Sequence, residues 1–331
     1  MGNLYDVLID RVENKLKVLS LFSGIGSPEM ALRDLGIDYD LVGFSEIDDK
    51  AIKSYCAIHN VSNNDNLGDI TKIEIASLPC DIDLITHGSP CQDFSISGYK
   101  LGGNEGSGTR SSLMWNTVEI VSHCKPKYVI WENVKGVLQK SHIHNYNKYI
   151  SRMNDLGYNN YSEVLNSKNF GLAQDRDRIF VISIRRDIDD NSFEFPTGYD
   201  YQVCLKDVLD DNVDQRFYVK KVLNPRRTKK YIQYDNSGKG YNSQASRLYY
   251  LTGCMCTLPR SNGGDKTQVL LDEANMTGRR ITPEEAWRLM GFSKDDYIKA
   301  EQSGQTLGSL YSQAGNSIAL PIMKEIFKNL F

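Results

Sequence analysis

The chain has 331 residues, 40% of them hydrophobic and 24% charged, and its 39 Lys and Arg against 42 Asp and Glu leave a net charge of −3. These values are ordinary for a soluble globular protein with one large domain and a smaller one. They exclude a membrane-spanning protein, because no apolar run approaches the ~18 residues that a bilayer requires. An odd seven cysteines without a CxxC pair point to reduced thiols rather than a disulfide or zinc framework.

The stretch MGNLYDVLIDRVENKL lacks the basic and apolar blocks of a signal peptide, and Asp6 stands where a myristoylation motif wants Ser or Thr. A cytoplasmic protein is expected. From Lys17 to about Arg185 the apolar runs KVLSLF, YDLVGFSE, DIDLIT, KYVIWENV, SEVLNS and RIFVISI alternate with helical patterns. The helical patterns are PEMALRDLG, DKAIKSYCAI, SLMWNTVEIVSHC and HNYNKYISRMNDLG, the first with Pro28 early and Gly36 just past its end. This rhythm predicts an α/β fold, a doubly wound parallel sheet covered on both faces, with ligands at the carboxyl ends of its strands.

The first strand runs into FSGIGS, where Gly24 and Gly26 allow a tight turn close to a ligand. A dinucleotide fingerprint would have a third glycine where this chain has Glu29, so a plain tight turn is an equal reading. The second strand ends in Glu46, placed to accept hydrogen bonds from a ribose, and Asp69 of GDI is a candidate acceptor for an adenine amino group. Together they describe a nucleoside cofactor without phosphates.

The next strand leads into GSPCQDFS and Cys91, and the following one, YVIWENV, presents Glu132 beside Trp131. Cys91 alone reads equally as a core thiol or as a nucleophile, which needs nearby dipoles or cations to ionise. A half-buried Glu132 with a raised pKa would serve as a proton donor. His142 and His144 are read as exposed, have no thiol or carboxylate partner in their segment, and no metal is expected there.

After Arg186 the helical period is lost until TPEEAWRLMG, where Thr282 is a predicted N-cap and Glu285 its capping-box partner. Between Arg216 and Lys266 eleven Lys and Arg face only Asp235 and Asp265, interleaved with Tyr218, Tyr231, Tyr234, Tyr241, Tyr249 and Tyr250. That pattern suits a nucleic-acid backbone and its grooves; a solvated basic face is the plain alternative.

The ordered blocks LFSGIGS, GSPCQDFS, WENVKGV, QDRDR and QAGNSIALP resemble the DNA (cytosine-5)-methyltransferase family of bacterial or phage type, over Lys17 to about Pro321. The resemblance implies a Rossmann-like methyltransferase domain over 1–187 completed by 305–331. It implies a smaller, irregular, β-rich target recognition domain over 188–278, and a helical hinge over 279–304. It implies S-adenosylmethionine as cofactor and methyl transfer to carbon 5 of a cytosine flipped out of duplex DNA. Cys91 is similar in position to the family's nucleophile, Glu132 to the acid that holds N3 and the exocyclic amine, and Arg178 to the group that binds O2. Asn133 and Arg176 belong to the same blocks, with Arg176 and Gln174 bracing the loop.

The matching cofactor positions are Phe22, Gly24, Gly26, Glu46, Ile47, Asp69, Ile70, Pro90, Leu113 and Asn316. Many family members carry Asp where this chain has Ser20, a departure at the methionine end of the cofactor. SISGYKLGGNEGSGTR resembles a lid, with Ser97 near its start. GKGYNSQASRLYY and CTLPRSNGG resemble recognition loops, which makes Gln244, Arg247, Thr257 and Arg260 candidate DNA contacts, each open to being a phosphate contact instead. A monomer is expected, with a cognate restriction endonuclease as a candidate partner. An RNA (tRNA) methyltransferase, a catalytically silent DNA-binding relative and a nicotinamide dehydrogenase are the competing readings.

Overall fold

The computed structural model describes residues 15–90, 106, 110–219, 225–234, 246–259 and 267–331. Strand β1 (Leu16–Leu21) leads through a glycine turn to helix α1 (Ser27–Leu35), β2 (Tyr39–Ser45) and α2 (Asp49–His59). After three 3-10 turns come β3 (Leu84–His87), α3 (Met114–Cys124), β4 (Tyr128–Val134), α4 (Ile143–Asp155) and β5 (Tyr158–Asn166). The short β6 (Gln174–Asp175) precedes β7 (Asp177–Arg185).

These strands form a six-stranded sheet in the order β2-β1-β3-β4-β7-β5. Period-two alternation assigns its faces. Val18, Leu84, Ile130, Phe180 and Ile182 enter one core with Met30 and Leu32 of α1, while Leu19, Ile85, Val129, Trp131 and Val181 enter the other with Trp115 of α3 and Tyr149 of α4. The doubly wound expectation holds. The all-parallel expectation is corrected: β2, β1, β3 and β4 are parallel, but β7 pairs antiparallel with both β4 and β5. The link from β5 to β7 is too short for a crossover helix, so the chain must return in the opposite direction. Asp69 caps a 3-10 turn, just after a single parallel bridge between Phe44 and Asn66.

A second six-stranded sheet, ordered β8-β14-β13-β11-β10-β9, is built from β8 (Tyr218–Val219), β9 (Arg226–Arg227), β10 (Tyr231–Gln233), β11 (Arg247–Tyr249), β13 (Gln268–Asp272) and β14 (Thr277–Arg280). Between β11 and β13, the strand β12 (Met255–Cys256) pairs instead with β6, where Met255 faces Gln174 and Cys256 faces Asp175. The chain closes with α5 (Pro283–Arg288), α6 (Lys294–Gln302), α7 (Leu307–Asn316) and α8 (Leu320–Leu330). Thr282 and Glu285 form the expected capping box at α5, and Glu285 also accepts from the buried Arg279 at 2.7 and 2.8 Å. Helix α8 packs against α1, sharing one core through Met30, Ile322 and Ile326.

Candidate active site

Glu132 and Arg178 meet because of strand register. Glu132 is opposite Phe180 on β7, which puts Arg178 two residues along on the same face. Its Nε lies 3.0 Å from Glu132 Oε1, but that oxygen accepts no well-aimed hydrogen bond. Burial raises the Glu132 pKa, against the opposing pull of Arg178 and Arg176. Arg178 itself is held by a 2.7 Å bond from Nη1 to the Asp177 carbonyl. A Cβ on Gly88 would stand 3.8 Å from Glu132 Oε2, so the turn after β3 passes directly beside the carboxyl.

That turn is anchored two residues before Cys91. Asn133 Nδ2 donates to the Ser89 carbonyl at 3.1 Å, and Trp131 Nε1 donates to Ser89 Oγ at 3.1 Å. Ser89 carried no signal in the sequence, because both donors come from a strand more than forty residues away. Cys91 lies outside the described residues, as do Ser97, Gln244 and Arg260.

At the first strand end, Phe22, Gly24 and Gly26 all adopt positive φ. A Cβ on Gly26 would collide with His59 and Tyr55 of α2, whereas one on Gly24 would meet nothing within 4 Å. Gly26 is therefore required by packing, and Gly24 leaves open space. Glu46 closes the turn: Oε2 accepts from the Gly24 N–H at 2.9 Å, and Oε1 accepts from the N–H groups of Ile47 and Asp48 at 2.8 and 3.0 Å. Its remaining lone pairs are available to a ribose. Ile47 is 68% exposed. Asp69 accepts from Thr71 N and Oγ1, and these bonds hold its pKa below the usual carboxylate value.

Ile70 is buried, and Phe22 and Leu113 pack against the same core as it does. Pro90 is partly exposed beside the anchored Ser89. Phe22, Gly24, Glu46, Ile47 and Pro90 follow the ends of β1, β2 and β3, and they fit a nucleoside donor: an acid with spare acceptors, open space over a glycine turn and an exposed apolar side chain. Asn316 lies far along the chain, at the end of α7. Arg176 is buried, and its guanidinium donates to the carbonyls of Gly315 at 3.1 Å and Ser317 at 2.7 Å, bracketing Asn316, which is itself exposed.

Gln174, in the β6–β12 pair, links the segment after β12 to the end of α5. Its Oε1 accepts from the Leu258 N–H at 2.8 Å while its Nε2 donates to the Leu289 carbonyl at 3.0 Å. Thr257 Oγ1 donates to the Asp175 carbonyl, and Lys230 pairs with the Asp175 carboxylate at 2.7 Å. Arg247 lies over the Tyr231 ring, 4.8 Å from its centre.

The positive segment is less unbalanced in space than along the chain. Arg216, Arg227 and Lys230 pair with Asp214, Glu273 and Asp175, all outside the counted window. Arg226 and Lys229 are exposed at the edge near β9. His142, read as exposed, is buried at the start of α4. Among the described residues, no cluster of three or more His, Cys, Asp or Glu is arranged for a metal, and no helix is long and apolar enough to cross a membrane.

The family model described as C-5 cytosine-specific DNA methylase matches residues 16–331. The chain is 32% identical to a type II methyltransferase, M2.ScrFI, of Lactococcus lactis subsp. cremoris, with 96% of this chain and 99% of that protein covered. It is 30% identical to the orphan methyltransferase M.SPBetaI of Bacillus phage SPbeta, covering 96% and 98%. Among solved structures, the S. pombe Dnmt2 methyltransferase shares the fold with a TM-score of 0.71 at 21% identity, over 96% of this chain and 98% of that one.

Proposed function

Since the chain belongs to the C-5 cytosine-specific DNA methylase family, whose reaction is methyl transfer to carbon 5 of cytosine in DNA, we propose that Cys91, Glu132 and Arg178 are its reaction centre. The observation that carries this reading is the Glu132–Arg178 pair, 3.0 Å apart beside the turn that leads to Cys91. Carbon 5 of cytosine is a weak nucleophile, and the Cys91 thiolate activates it by adding to carbon 6. Glu132, whose protonated form burial favours, donates to N3 and accepts from the exocyclic amine. Arg178 faces O2, where negative charge develops. Loss of the carbon 5 proton after methylation lets Cys91 leave by elimination.

S-adenosylmethionine supplies the electrophilic methyl group. Glu46 takes its ribose, Asp69 its adenine amine, and Ile47 gives the adenine apolar cover. Asn133 positions the nucleophile turn through Ser89, and Arg176 positions the Asn316 segment. The second sheet acts as the target recognition domain on duplex DNA, with Arg247, Thr257, Gln244 and Arg260 as contacts and Ser97 in the lid. The protein works as a monomer in the cytoplasm, with a restriction endonuclease of the same target sequence as its counterpart. RNA methylation and silent DNA binding have nothing beyond the shared fold in their favour.

Bisulfite sequencing of DNA from cells expressing the protein tests this reading. Protected cytosines should appear in one sequence context and vanish with Cys91→Ser; protection that persists in the variant sinks the proposed centre.

A further inference from the structure

Glu29 is the most anomalous polar group among the described residues. It stands in the first turn of α1, is 0% exposed, and neither carboxyl oxygen has a hydrogen-bond partner. The groups facing it are the Ser20 hydroxyl of β1, the Tyr55 hydroxyl of α2 and its own backbone N–H, which pull its pKa down against burial but aim no well-formed bond at either oxygen. His59 of α2 and Tyr39 of β2 are close by, and burial keeps both uncharged, with the His59 pKa lowered to about 4. Arg33, one turn along α1, is engaged by Asp296 at 2.8 Å. Burial raises the Glu29 pKa and favours the neutral carboxyl, which without a well-aimed partner costs stability.

Its position gives the cost a purpose. Glu29 Oε2 would stand 3.0 Å from a Cβ on Gly26, so the carboxyl lies against the cofactor turn. Gly26 caps α1 without any side-chain hydrogen bond, and Ser23 Oγ in the same turn also lacks a partner. Ser20, where many family members carry Asp, points to the same face of the sheet as Val18, toward Glu29. We propose that Glu29 is the acid that meets the cationic amino-acid end of the methyl donor, in place of the acid that position 20 lacks. The inference rests on the S-adenosylmethionine reading above. As the ammonium group arrives, Glu29 releases its proton to solvent and becomes the paired carboxylate.

Calorimetric titration of the full chain at pH 6.5, where an α-amino group is already protonated, tests this in two buffers of unlike ionisation enthalpy. Wild type should release about one proton per S-adenosylmethionine bound. Glu29→Gln, an isostere of the neutral acid, should weaken S-adenosylmethionine about 10- to 100-fold and abolish the release, while 5′-methylthioadenosine, which has no amino-acid end, binds both proteins alike. Adding Ser20→Asp to Glu29→Gln should restore affinity. Unchanged affinity in Glu29→Gln, equal weakening of both ligands, or no proton release by the wild type would overturn the assignment. A wild type that binds neither ligand would instead remove the cofactor reading itself.

Discussion

Arg178 reaches Glu132 on the diagonal of an antiparallel pair, its Nε 3.0 Å from a carboxyl oxygen to which it gives no aligned hydrogen bond. The carboxyl thus feels the cation's charge while its oxygen stays available. Burial raises the Glu132 pKa and Arg178 pulls it down, so Arg178→Met lets Glu132 keep its proton to higher pH. We predict a 10²–10³-fold fall in kcat with the alkaline limb of the pH–rate profile moved upward. An unmoved limb would show that Glu132 is not the titrating acid.

Asn133→Ala removes the donor to the buried Ser89 carbonyl. A stranded acceptor costs about 1–3 kcal/mol, read by urea unfolding. The loosened turn should lower kcat at least tenfold by roughly 1.4 kcal/mol of lost positioning, with S-adenosylmethionine affinity kept. Equal loss of cofactor binding would mean that the whole strand end had collapsed.

Gln174→Ala cuts the bonds to Leu258 and Leu289 together. DNA should bind about tenfold more weakly, by roughly 1.4 kcal/mol, and discriminate less between target and non-target sites. Gel-shift competition measures both; preserved discrimination would show that the junction only adds stability.

The Arg279–Glu285 pair is buried on both sides and hydrogen-bonded twice. Arg279→Met removes the cation that the buried Glu285 carboxyl is paired with, for a loss of about 3–5 kcal/mol. Arg279→Met combined with Glu285→Gln should cost less than the two single losses added. Additive losses in denaturant titrations would argue against direct coupling.

Burial lowers the His59 pKa to about 4 and the His87 pKa to about 3. Each folded pKa lies below the unfolded value near 6.5, so the stability they contribute is present above pH 6.5 and is lost as pH falls toward 4 and 3. Between about pH 6 and 4.5 the slope should approach 1.4 kcal/mol per pH unit for each histidine. His59→Gln should remove one of the two slopes, and melting curves across that range would expose a flat profile if neither titrates.

The alternation of Val18 with Leu19 and of Ile130 with Trp131 was readable as strand faces because side-chain direction is a local property. The Thr282–Glu285 cap was readable for the same reason, as a three-residue spacing. The direction of β7 was not, since it depends on the length of a link rather than on the strand's residues. Ser89 and Gln174 draw their roles from partners 44 and 115 residues away, which no window of sequence contains. Counting charge along the chain overstated the basic face, because Asp175 and Glu273 reach it only in space. Glu29 reads as an ordinary first-turn helix acid; its burial comes from α2 closing over it.

Helix α8 closes against α1, where Lys324 meets Asp34 at 3.3 Å, and Gln313 of α7 donates to the Lys50 carbonyl at the start of α2 at 3.1 Å. Helices almost three hundred residues apart along the chain therefore share one layer. A chain that has made every strand of the first sheet already has α1 and α2 against one face, but α1 still lacks its partner α8. Until α8 has been made, Met30 and Leu32 lack Ile322 and Ile326 and are open to other apolar partners.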